Sequence, residues 1–152
     1  MIQLYKPTIV AYYPNIRVNL YDEMTSTDYF PLISFKSQFT GKIKTFRPFG
    51  VFVDKIERYY TLVIKMLHGE SSEQLVNGWV NFGNQNFPFG FYNVTIYQNN
   101  DNTNLDPTNT IKTLWTGLAN LTTDTTQSIT PTVNYTAYTT NDADTESIYI
   151  TN

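Results

Sequence analysis

Apolar and polar positions alternate with a period of two along much of this chain, the pattern of half-buried β-strands. The clearest case is Tyr59–Leu67, where Tyr60, Leu62, Ile64 and Met66 form one set and Tyr59, Thr61, Val63 and Lys65 fall between them. The first set is expected inside and the second outside. In Phe91–Tyr97 the set Tyr92, Val94 and Ile96 is expected to face a core, leaving Phe91, Asn93, Thr95 and Tyr97 outside. Further strands are predicted over Thr8–Tyr13, Ile16–Tyr21, Phe30–Phe35, Lys42–Arg47, Gly78–Phe82, Lys112–Leu121, Pro131–Tyr138 and Ser147–Thr151. In the last of these, Ile148 and Ile150 are expected inward and Tyr149 outward. Between the strands lie turn signals such as Pro14-Asn15, Thr40-Gly41, Pro48-Phe49-Gly50, His68-Gly69 and Asn77-Gly78. The most helix-like piece, Ser71–Val76, is too short for more than one turn. Many short strands separated by turns indicate an all-β sandwich or barrel. A length of 152 residues fits one domain over residues 1–152.

Composition sharpens the surface more than the core. Aromatics make up 16% of the chain, led by 12 Tyr and 10 Phe, whereas charged residues reach only 15% against a typical ~25%. Tyrosines at outward strand positions, on a surface poor in charge, are the composition of a protein–protein interface. The competing reading is a sugar-binding face on which Trp79, Trp115 or exposed tyrosines stack. Residues 1–66 hold nine basic and five acidic side chains, and residues 67–152 hold one base, Lys112, against eight acids. Such asymmetry is able to steer association. The sequence pI near 5.0 and the lack of a basic cluster disfavour nucleic acid. Lys42, Lys44 and Arg47 fall on one alternating strand, where lysines usually protect a solvated edge.

Candidate chemistry is sparse. There is no cysteine, so disulfides and thiolate metal sites are excluded. The single histidine, His68, precedes a glycine and reads as a turn residue. No nucleophile elbow, phosphate loop or zinc-protease motif occurs, so no catalytic or cofactor-binding residue is nominated and no enzyme is expected. No stretch approaches eighteen consecutive apolar residues, and no membrane partner is expected. Asn100, Asp101, Asn102, Asn104 and Asp106 supply the hard oxygens that calcium prefers. The central Gly and distal Glu of a calcium-binding EF-hand loop are not in register, and Asn and Asp also make turns by bonding their own backbone. The turn is the preferred reading, and no metal ligand is nominated.

One stretch resembles a known group. Gly90-Phe-Tyr-Asn-Val-Thr-Ile-Tyr-Gln98 runs through Asn104-Leu-Asp-Pro107 into Leu114-Trp-Thr-Gly117-Leu, and a tyrosine-containing tail follows from Val133 to Tyr149. This order is similar to the later strands of small virion proteins of tailed bacteriophages, among them those of Bacteroidetes-infecting, crAss-like phages. The likeness covers roughly residues 75–152. The first half fits it loosely, through Ile16–Leu20, Phe35–Phe39 and Tyr59–Leu67. The resemblance implies an immunoglobulin-like β-sandwich with Greek-key-type connections. It implies a non-enzymatic auxiliary capsid subunit, or a head–tail, baseplate or adhesion module. Its partners would be copies of itself and other virion proteins, such as the major capsid protein or tail components. The expected location is a virion assembled in the cytoplasm of a bacterial host.

Overall fold

A computed structural model describes residues 1–7, 10–19, 30–54, 59–69 and 71–123. These residues form ten strands and two short 3-10 turns, with no α-helix among them. The strands are β1 (Ile2–Lys6), β2 (Asn15–Val18), β3 (Phe30–Ser37), β4 (Ile43–Phe46), β5 (Gly50–Asp54), β6 (Tyr59–Val63), β7 (Lys65–Met66), β8 (Trp79–Val80), β9 (Gly90–Asn99) and β10 (Lys112–Thr123). The chain is all-β, as its alternation requires. A five-stranded sheet runs β1-β10-β9-β3-β4, a three-stranded sheet runs β2-β6-β5, and β7 pairs with β8. Only β1 breaks the antiparallel order of the large sheet, lying parallel to β10 with Leu4 beside Leu121.

The two larger sheets share one core. Phe35, Phe46, Tyr92, Val94 and Ile96 from the five-stranded sheet meet Ile16, Val18, Tyr60 and Leu62 from the three-stranded one. Phe82 is the hub of its aromatic part, with ring centroids of Phe35, Phe46, Phe87 and Tyr92 at 5.4, 6.3, 6.1 and 5.6 Å. Such pairs contribute roughly 0.5–1.5 kcal/mol each beyond the apolar area they bury. The expected faces hold: Tyr60, Leu62, Ile64 and Met66 are buried, and so are Tyr92, Val94 and Ile96. Their neighbours Phe91 and Asn93 are exposed, while Thr61, Val63, Thr95 and Tyr97 are half-buried.

Several boundaries differ from the sequence expectation. Tyr59–Leu67 is two strands, because the chain changes sheets at Ile64, whose N–H donates to Pro14 O at 3.1 Å. The first strand is Ile2–Lys6 rather than Thr8–Tyr13: Pro7 offers no N–H to continue the ladder, and Tyr12 makes only an isolated bridge to Met66. Pro48-Phe49-Gly50 does turn the chain, but it leads directly into β5, whose Val51-Phe52-Val53 run shows no alternation. The helical turn falls at Leu75–Asn77 and ends on Gly78, φ 71°. A Cβ there would lie 2.2 Å from Phe49 N and 2.7 Å from Arg47 O, so only glycine lets these two backbones approach. The strands expected at Pro131–Tyr138 and Ser147–Thr151 lie outside the described residues.

Candidate functional site

The cationic strand is an edge of the five-stranded sheet, as expected, but two of its three cations are not solvated. On β4, Lys44 shares a face with Phe46, and it sits opposite Phe35 of β3. Lys44 is 6% exposed while its neighbour Ile43 is 56% exposed, so the lysine occupies a core position and the isoleucine faces water. Arg47 is half-buried over the Phe30 ring at 5.1 Å and donates from Nη1 to Asn102 O. Of the three cations, only Lys42 stands in solvent.

An unpaired ammonium at Lys44 would be strongly destabilising, and a polar cluster prevents it. Lys44 Nζ donates to Glu73 Oε1 and to Asn81 O, and it lies 4.3 and 4.9 Å from the ring centroids of Phe87 and Phe82. Asn81 is the centre of the cluster, with all four of its polar groups engaged. Its N–H donates to Glu73 Oε1 at 2.6 Å and its Nδ2 to Gly69 O at 2.6 Å. Its carbonyl accepts from Lys44, and its Oδ1 accepts from Lys6 Nζ at the end of β1. Burial holds the Lys44 ammonium below the ordinary lysine pKa, with Glu73 opposing the shift. Lys6 is lowered first by burial and then by the charge of Lys44. The cluster borders an open cavity of about 650 Å³, lined also by Ser71, Asn84 and Gln85. No nucleophile–base pair is formed there, and the chemistry it offers is binding through hydrogen-bond donors and positive charge.

The Asn-rich run is a second polar cluster, of a different kind. It begins at Asn99, fully buried at the end of β9. Asn99 Nδ2 donates to Asp101 O at 2.8 Å and to Asn104 O at 3.2 Å. Asp101 Oδ1 accepts from Thr103 N, Asn104 Oδ1 from Asp106 N, and Asp106 Oδ1 from Thr108 N, at 2.7–2.9 Å. The last bond caps the 3-10 turn Pro107–Asn109. Bonds from Thr103 and Thr108 hold the Asp101 and Asp106 carboxyls below the ordinary carboxylate pKa. These three side-chain oxygens, weighed as calcium ligands, accept from the corner's own backbone, as the turn reading requires.

Apolar surface is concentrated elsewhere. Val51, Phe52 and Val53 on β5 are all exposed, Phe52 at 64%, and β5 has no partner beyond β6 among the described residues. Nearby, the exposed rings of Tyr13 and Phe49 pack together at 5.5 Å. Phenylalanine contributes as much to this surface as the outward tyrosines that the composition suggested. The two indoles are half-buried: Trp79 carries the Lys65 ammonium 3.7 Å above its ring, and Trp115 folds over Gly117 and packs on the core. No helix of the described residues is long and apolar enough to cross a membrane. Set against known protein families, curated proteins and solved structures, the chain matches none of them.

Proposed function

We propose that this chain is a non-enzymatic structural subunit of a tailed-phage virion, an immunoglobulin-like β-sandwich that decorates the capsid through protein–protein contacts. The observation that carries the reading is β5. Soluble proteins guard edge strands with lysine, proline, bulges or a covering segment. Among the described residues, 50–53 of β5 have no such guard and present three successive exposed apolar residues, flanked by the Tyr13–Phe49 pair. A surface of this kind is covered in an assembly. The similarity of Gly90–Leu118 to phage virion proteins supplies the setting, and the low charge of the chain agrees with a subunit that works by contact. A stable contact buries roughly 1,600 Å² in total, and repeated copies add avidity to a weaker one. Imaging of the particle that carries the chain tests this directly. The expected result is many ordered copies with Val51-Phe52-Val53 against protein, and a chain absent from particles would refute it.

A further inference from the structure

The cavity beside Lys6 has a charge imbalance that its own residues do not remove. Lys6 and Lys44 converge on Asn81, and among the described residues a single carboxylate, Glu73, bonds either of them. Glu73 uses one oxygen, Oε1, for both Lys44 and the Asn81 N–H. Among the described residues Lys6 bonds neutral acceptors only, Asn81 Oδ1 and Gly69 O at 3.4 Å. An ammonium has three donors, so Lys6 keeps one, on a half-buried charge that lines the cavity. Burial and then the charge of Lys44 hold the Lys6 ammonium below the ordinary lysine pKa, with the Glu73 carboxylate opposing the shift.

An apolar ring stands against Gly83 at the rim of the otherwise polar cavity. Gly83 has φ 74°, and a Cβ there would meet Phe89 Cζ at 3.0 Å and Lys6 Cδ at 3.3 Å. The lysine stem, a bare glycine and the Phe89 ring, 44% exposed, therefore stand side by side. The amide side chains of Asn84 and Gln85 are exposed on the same cavity. An anionic group, an apolar ring face and several hydroxyls are what these neighbours complement. The volume lies within the range of small-molecule sites.

We infer that this cavity binds an acidic sugar of the uronate type. Its carboxylate bonds the Lys6 ammonium, its C–H face lies on Phe89, and its hydroxyls meet Asn84, Gln85 and the second oxygen of Glu73. The site is independent of β5 and stands or falls apart from the assembly role. The test is titration of the full chain with glucuronate, glucose and acetate, followed by calorimetry or amide chemical shifts. Glucuronate is expected to bind at least about tenfold more tightly than either comparison compound, because only it offers both a charge-assisted bond and a ring face. Lys6→Gln is expected to abolish that preference. Should Lys6→Gln fail to fold, the methyl ester of glucuronate on the unaltered chain makes the same distinction, and it is expected to bind like glucose. Equal responses to glucuronate and glucose, equal responses to glucuronate and acetate, or no response at ~10 mM would each overturn the proposal.

Discussion

Two polar clusters in this molecule use the same hydrogen-bonding groups to opposite ends. In the corner from Asn99 to Asn109 the corner's own side chains bond residues two to five positions apart, and one long-range bond, from Arg47 to Asn102 O, reaches it from outside. In the cluster at Asn81 the partners are 8, 29, 37 and 75 positions apart. The corner closes on its own backbone and turns the chain. The cluster ties β1, β4, the segment before the 3-10 turn and the segment after β8 into one network, buries a lysine and borders a cavity. Locality thus separates polar residues that shape the chain from polar residues that build a site.

The largest effect should come from breaking the long-range cluster. Lys44→Glu sets a second carboxylate beside Glu73 at a buried position and is expected to prevent folding, whereas Lys42→Glu should leave the melting curve unchanged. A Lys44→Glu variant that melts like the parent would show that the network does not exist. Next, Glu73→Gln leaves Lys44 with a neutral partner. A loss of about 3 kcal/mol in urea unfolding is expected, at the low end for a broken buried pair because the Glu73 side chain is 32% exposed. The local corner should yield less. Asn104→Ala removes bonds to Asn99, Asp106 and Asn109 and is expected to cost about 1 kcal/mol, with the cavity titration unaltered.

The smallest effects, those of pH, should share one sign in the two regions, stability rising with pH, but fall in different pH windows. Lys6 and Lys44 are held below the ordinary value of 10.5, so the unfolded chain keeps protons that the folded chain releases. Their contribution to stability therefore rises with pH as it passes through their folded values. The window closes near 10.0, where burial of Tyr92 raises its pKa and begins to act the other way. A modest rise in thermal midpoint as pH is raised toward 10 is expected, weaker in Lys44→Met. Asp101 and Asp106 are held below 3.8, so their contribution is present above that value and is lost as pH falls through their folded values.

The same contrast explains what was legible beforehand. The corner could be read because Asn and Asp bond backbone groups a few residues away, whatever the rest of the chain does. Strand faces could be read because parity alone assigns Tyr92, Val94 and Ile96 inward. Parity also puts Lys44 on the face of Phe46, but residue type pointed the other way, and the partners that neutralise it, Glu73 and Asn81, are set by tertiary pairing. Strand β1 escaped for a related reason: its partner is β10, at the other end of the described chain. Strand β5 lacks alternation because its apolar residues are exposed in succession, with no partner beyond β6 among the described residues.

The account's central claim is that β5 meets protein. A photoreactive phenylalanine analogue at position 52, with a second variant carrying it at position 102 of the self-closed corner, tests that claim in the producing cells. The β5 probe is expected to capture a discrete protein adduct, either a second copy of this chain or a shell subunit, while the corner probe captures none. Equal labelling from both positions, or no protein adduct from position 52 in assembled particles, would contradict the account.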